Sequence, residues 1–354
     1  MKLFECQACG HVVYFENSQC VRCGHALGFL TDSASLSALA PANGQWRPLA
    51  APERLVRYCA NAAHGVCNWL VPADEAATLC RACDLNRTIP DLSVPGNVER
   101  WRRIELAKHR VIYAVLRWGL PLMPLREEGD WGLGFDFVAE GVTAFGAEPL
   151  RTGHDAGLIT LSIAEADDAE RERRRSEMAE PYRTVIGHLR HEIGHYYEQL
   201  LVVNERLEPC RQLFGDERAD YAAALARYYA EGPAPDWQAR CVSAYASAHP
   251  WEDFAETWSH YLHMVDALET AAYFGIRVAP KVGTDPALAA WADVDSYAPV
   301  PFQRLLDAWL PLTYAMNAIN RSVGQPDFYP FVLPPPALDK LRFVHRLVHG
   351  EPVS

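Results

Sequence analysis

Residues 185–201 read VIGHLRHEIGHYYEQLL, and this stretch decides how the rest of the chain is read. It belongs to an expected helix over residues 182–203. His191 and His195 are four apart, so on a helix both imidazoles lie on one face and can reach one ion. Glu192 is rotated from His191 by about 100°. It misses the ion and is placed to hold a water bound there. Two imidazole ligands and a carboxylate base at this spacing form the H-E-x-x-H pattern of zinc-dependent hydrolysis. Gly194 removes a side chain beside the pair. The competing reading is a surface helix that happens to carry two histidines.

Such a site needs a third protein ligand and an open position for water. The best segment is SAYASAHPWEDFAETWSHYLHMVD, residues 243–266. A helix is expected from Pro250 to about Phe274, with Pro at its first position and Gly275 at its end. Glu252 and Glu256 share one face near its start. Phe254, Trp258, Tyr261, Leu262 and Val265 form the opposite face and are expected to bury it. One carboxylate can bind the metal, and the other can accept the free N–H of a ligand histidine. The plainer reading is a helix whose first-turn acids complement its dipole. Glu217, Asp220 and His188 are rival ligands, although Asp216 looks like the cap of a helix over 216–231. His249, His260 and His263 are expected to be satisfied helix histidines.

Eight of the ten cysteines fall into two tetrads. Cys6-x2-Cys9 and Cys20-x2-Cys23 sit in C-x-x-C-G knuckles, a strong zinc-ribbon pattern in which four thiolates meet one Zn²⁺. Cys59, Cys67 and Cys80-x2-Cys83 form a second set with one pair widened, and His64 in the widened loop could replace Cys59 or Cys67. Both sets close the coordination sphere, so they are expected to be structural. Cys210 and Cys241 read as buried thiols.

The formal net charge is −12 and the pI near 5.5. Nucleic-acid binders usually present a basic face, so this balance argues against that partner. No stretch is long and apolar enough to span a bilayer. The start, MKLFECQACGHVVYF, lacks the apolar core of a signal peptide. Thiol pairs without a secretory signal point to metal sites in a reducing cytoplasm.

The expected organisation is a zinc ribbon over 1–30, a Ser/Ala/Pro-rich linker over 31–53, a second zinc-binding module over 54–95 and a main domain over 96–354. The main domain opens with the helical pattern NVERWRRIELAKHRVIYAVLRWG. Residues 127–165 look extended, and GLITLSIAEA alternates with period two. The charge run DDAERERRRSEM reads as a solvated helix or loop, with a mobile flap as the sharper alternative. Helix dominates after residue 100, so the fold class is α+β, mainly helical with a small β unit.

HEIGH followed by a helix containing E-x-x-A-E resembles the gluzincin metallopeptidases, whose third ligand is a glutamate. EDFAE, with Tyr245 seven residues before Glu252, is similar to the third-ligand region of the anthrax lethal factor protease. The resemblance implies that Glu252 binds zinc, Glu256 supports a ligand histidine and Tyr245 stabilises the oxyanion. Glu256 stands where the thermolysin-like form has Asp, which leaves the division of labour between the two glutamates open. The wider layout, with GHDAGLITLSIAEAD, EPYRT, HLRHEIGHYYE, FGDERADY and HPWEDFAETWSHYLH behind a cysteine-rich start, resembles a bacterial family of zinc-binding metallopeptidases with zinc-ribbon N-termini. That likeness covers nearly the whole chain and implies a zincin-like domain over 96–354.

The expected cofactors are three zinc ions, one catalytic and two structural, and the expected partner is a peptide or protein substrate. By analogy with zincins, strand 158–164 is a candidate edge for pairing with that peptide. The runner-up reading is a binding or adaptor protein that recruits a protein partner through its ribbons. Glu192 weighs against it, because a scaffold has no use for a base beside the two histidines.

Overall fold

The computed structural model describes residues 2–126, 131–139, 153–177 and 184–353. The chain divides into two compact units, Met1–Met178 and Ala179–Ser354. The fold class is α+β, as expected.

In the first unit, β1 (Phe4–Glu5) and β2 (Val12–Val13) pair on either side of the Cys6–Cys9 knuckle. A five-stranded antiparallel meander follows: β3 (Ala26–Leu30), β4 (Ser35–Ala42), β5 (Gln45–Pro48), β6 (Val56–Tyr58) and β7 (Leu70–Pro72). Residues 31–53 are therefore not a connector. They hold β4 and β5, and Leu36, Ala38 and Leu39 are buried. The turn between them is Asn43-Gly44, both at positive φ (50° and 78°), with Ala42 paired to Gln45. Two left-handed residues form a tight hairpin turn whose twist matches the flanking strands. Leu30, Leu39, Val56 and Leu70 make a core under this sheet.

Helix α1 (Asn97–Arg117) covers the expected pattern and ends before Gly119. Its Tyr113 joins an aromatic cluster with Phe15 and Phe29, and Trp69 completes it. Lys108 and Glu105 of α1 are both fully buried and paired at 2.9 Å. A second sheet has the order β10 (Gly153–Asp155), β11 (Leu158–Ser162), β9 (Gly134–Val138), β8 (Asn86–Thr88). β11 is antiparallel to β10 and parallel to β9. This corrects the expected edge: β11 lies between β10 and β9, and its residues Leu158–Thr160 are paired on both sides. The remainder of the 127–165 region expected to be extended, residues 127–130 and 140–152, lies outside the described residues, as do residues 180–183 of EPYRT. The charge run forms α2 (Asp168–Glu177), in which Arg171 pairs with an exposed Asp168 and Arg173 with Glu170.

The second unit is built on α3 (Val185–Leu201), α4 (Leu207–Phe214), α5 (Tyr221–Glu231), the short α6 (Trp237–Arg240), α7 (Pro250–Tyr273), α8 (Phe302–Ser322) and α9 (Pro335–Val348). α7 is its centre and packs against α3, α8 and α9. Phe254, Trp258, Tyr261, Leu262 and Val265 are all fully buried, each worth about 1.5–3 kcal/mol of transfer free energy. Gly194 faces α7: a Cβ there would lie 3.1 Å from Ala255 Cα and 3.2 Å from Trp258 Cβ. The missing side chain lets the two backbones approach. Tyr197 stacks on Trp258 at 5.2 Å.

Lys340 of α9 pairs with Asp253 of α7, both buried. Burial pushes the Asp253 carboxyl up to about 6, against the pull of Lys340. The helix read from 216 begins instead at Tyr221. Its cap is Asp220, whose carboxylate accepts from Ala223 N at 3.0 Å, while Asp216 pairs with Arg218. Among the described residues no helix is long and apolar enough to cross a membrane.

Candidate metal centre

Two helix starts position the centre. Thr184 caps α3 by accepting from Gly187 N at 3.0 Å, and α3 then presents His191, Glu192 and His195. His249 caps α7: its Nδ1 accepts from Trp251 N at 3.1 Å, and Pro250 follows at the first helical position. α7 presents Glu252 and Glu256 one turn apart. The close crossing at Gly194 brings the two sets together.

The rings of His191 and His195 are 4.9 Å apart and nearly perpendicular. Glu252 Oε2 lies 2.9 Å from His191 Nε2 and 3.7 Å from His195 Nε2. Glu252 is 1% exposed, and its Oε2 has no hydrogen-bond partner. Its other oxygen accepts from the Tyr221 hydroxyl at 2.6 Å.

Glu256 is differently engaged. Its Oε1 is 2.7 Å from His191 Nδ1, and its Oε2 accepts from the Ser243 hydroxyl at 2.6 Å. Both of its oxygens are committed. A proton on Nδ1 leaves the lone pair of His191 on Nε2, the atom that faces Glu252. An unprotonated nitrogen and a carboxylate oxygen repel each other unless a cation lies between them.

Burial disfavours a charge on His191, yet the carboxylates of Glu252 and Glu256 beside it raise its pKa well above the ordinary value. Burial likewise opposes ionisation of Glu252, and His191 with His195 overcomes this and holds the carboxyl well below its usual range. His191, His195 and Glu252 offer donor atoms within 4.8 Å of one another, the borderline N/O set that suits Zn²⁺.

Glu192 is buried beside this cluster. His188 Nε2 lies 3.2 Å from its Oε1. Burial raises its pKa, but His188, His191 and His195 outweigh that and lower it to about 2. His188 thus pairs with Glu192 and is not among the clustered donor atoms. Tyr245 opens a short 3-10 turn, Tyr245–Ser247, with its ring 5.9 Å from that of His191. Burial, and then the Glu252 charge, push its phenol above the ordinary value.

The other rivals are occupied. Glu217 pairs with Arg211, and Asp220 caps α5. His260 Nδ1 is 2.6 Å from the Tyr329 hydroxyl, and His263 packs edge-on to Trp309, Phe328 and Tyr329. Cys210 and Cys241 are buried free thiols. Ser243 and Tyr221 carry no local sequence signal. Only their meeting with Glu256 and Glu252 marks them.

The eight paired cysteines form two clusters, Cys6/Cys9/Cys20/Cys23 and Cys59/Cys67/Cys80/Cys83. Sulfur separations are 3.6 Å for Cys6–Cys23, 3.7 Å for Cys9–Cys20 and 3.8 Å for Cys67–Cys80. A tetrahedral site with bonds of about 2.3 Å has sulfur–sulfur edges of about 3.8 Å, and a disulfide would bring them to about 2.05 Å. His64 stays outside the second cluster, with its ring 5.8 Å from that of Trp101. The imidazole that does reach it is His109 of α1, with Nε2 at 3.4 Å from Cys67 Sγ and 3.8 Å from Cys83 Sγ. Its Nδ1 lies 2.6 Å from the Glu105 carbonyl.

Residues 97–347 match the model of the family described as "Putative zinc-binding metallo-peptidase". The chain belongs to that family.

In this zinc-binding metallopeptidase family member, residues 3–94 match a zinc-ribbon domain, so zinc is the metal that the four-thiol geometry of both cysteine clusters fits. An uncharacterized protein of Mycobacterium tuberculosis is 41% identical over 350 residues, covering 98% of this chain and 95% of the relative. An uncharacterized protein of Mycobacterium bovis matches to the same extent. No solved structure matches the chain.

Proposed function

We propose that this family member is a zinc-dependent peptidase in which His191, His195 and Glu252 hold the metal, Glu192 moves the proton and Tyr245 steadies the oxyanion. The observation that carries the reading is the orphaned Oε2 of Glu252, buried and facing both Nε2 atoms. An unpaired buried oxygen costs about 1–3 kcal/mol, and a cation between it and the two Nε2 atoms would offset that cost.

A zinc ion held by these three groups would supply Lewis-acid polarisation of a carbonyl and lower the pKa of water. The chain's own groups supply the rest. Glu192, kept ionised by His188 and the nearby imidazoles, accepts a proton from the attacking water at its carboxylate. It then delivers that proton to the leaving amine. Tyr245, kept protonated by burial, can donate its hydroxyl hydrogen to the tetrahedral oxyanion. Glu256 holds the His191 tautomer, so Nε2 remains free to bind. The proposed substrate is a peptide or protein, and the two cysteine clusters are proposed to hold one structural zinc each.

The test compares wild type with Glu192→Gln on a mixture of unlabelled cytosolic peptides, read as new termini by mass spectrometry. Wild type is expected to generate new termini, and the variant none, at equal zinc content. Equal cleavage by both proteins, or no cleavage by a fully zinc-loaded wild type, would overturn the proposal.

A further inference from the structure

We infer that Tyr221 is a positioning residue that ties up Oε1 of Glu252 and so presents Oε2 alone to His191 and His195. The inference rests on the proposed metal centre and goes beyond it. It names the device that makes Glu252 a one-oxygen ligand.

The geometry begins with the 2.6 Å contact from the Tyr221 hydroxyl to Glu252 Oε1. That is the length of a hydroxyl donating to an ionised carboxylate, a strong and directional bond. A carboxylate near a dication can engage through one oxygen or both. An oxygen already bound to a phenol hydroxyl has less charge to give, and the contacts to the histidines run through the other oxygen. The remaining oxygen is the one found without a partner.

Tyr221 is itself held in place at three points. It is the first residue of α5, directly after the cap Asp220. Its ring stands edge-on to His249 at 5.1 Å and tilts against Trp251 at 5.5 Å. His249 closes the loop: its Nδ1 accepts from Trp251 N, and its Nε2 donates to the Ala219 carbonyl at 3.0 Å. One neutral imidazole thereby ties the start of α7, which carries Glu252, to the residues just before α5, which carries Tyr221. The phenol and the carboxylate are delivered to one another by the same clamp. A tyrosine serving only as packing needs neither the hydroxyl contact nor the clamp.

The experiment uses the full chain with its cysteine sites loaded with zinc. The third site is titrated with zinc against a chelator and, separately, filled with cobalt(II). Tyr221→Phe is expected to weaken the third ion by about 10–100-fold, the range for a group that orients a ligand. It is also expected to weaken the visible cobalt bands, because the freed Oε1 raises the coordination number. Glu252→Ala, run in parallel, is expected to abolish third-site binding. If Glu252→Ala loses the ion while Tyr221→Phe keeps wild-type affinity and spectrum, the positioning role is wrong and the metal centre stands. If Glu252→Ala keeps the ion at wild-type affinity, the metal reading fails and takes this inference with it. A Tyr221→Phe protein that only melts earlier, with affinity and spectrum unchanged, also overturns the role.

Discussion

His191 Nδ1 lies 2.7 Å from Glu256 Oε1. In the proposed metal centre this contact separates the tasks of two carboxylates that stand four residues apart on one helix face. Glu256, with Ser243 on its other oxygen, orients the histidine. Glu252 keeps an oxygen free for the centre of the site.

Removing the two carboxylates should therefore have different consequences. Glu252→Ala takes away a donor atom and is expected to lose the exchangeable zinc. Glu256→Ala leaves the donors in place and is expected to weaken binding by about 10–100-fold. Zinc competition titrations on both variants check this, and a Glu256→Ala protein that loses its zinc while Glu252→Ala retains it would reverse the assignment.

Tyr245 stands near the site without being one of its donors. Tyr245→Phe is expected to keep the full zinc content and to slow peptide turnover by roughly 10²–10³-fold, the scale of one oxyanion donor. The rate should fall in kcat. A change confined to KM would place Tyr245 in substrate binding.

Total zinc is expected to be three ions per chain, two of them resistant to mild chelation. Cys6→Ser and Cys80→Ser should each remove one tightly held ion and destabilise the first unit, because a closed zinc site contributes folding free energy. Elemental analysis with thermal melts checks both statements. A serine variant that keeps three ions and melts like wild type would remove that cluster from the zinc count.

Gly194 sets how closely α3 and α7 pack. In Gly194→Ala the new methyl meets Ala255 Cα at 3.1 Å, a backbone atom that moves only if α7 moves. Overpacking of this kind costs about 1–3 kcal/mol. A change in the spacing of the helices also separates His191 from Glu252, so zinc affinity should fall together with the melting temperature. A variant with wild-type stability and affinity would show that the crossing tolerates the methyl.

Several features were legible in the residues because they are local. HEIGH, the cysteine knuckles, the Pro250 start of α7 and its apolar face each follow from spacing within one element. Two local signals are ambiguous. Asn43-Gly44 marks a hairpin, but the Ser, Ala and Pro around it read as a linker and hide β4 and β5. Asp220 and Asp216 are both plausible caps by residue type, and only the backbone shows which carboxylate reaches an amide.

The sequence by itself determined the donor types, the helices that carry them and the pairing of cysteines into two tetrads, since all of these depend on short-range periodicity. Tertiary structure alone decided which partners meet across long separations. His109 rather than His64 reaches the second thiol cluster because α1 packs back onto it. β11 is interior because β9 and β10 flank it. Tyr221 and Ser243 reach the two glutamates because chain folding delivers their hydroxyls there. Periodicity along one helix cannot express such contacts, for they depend on how separate elements pack.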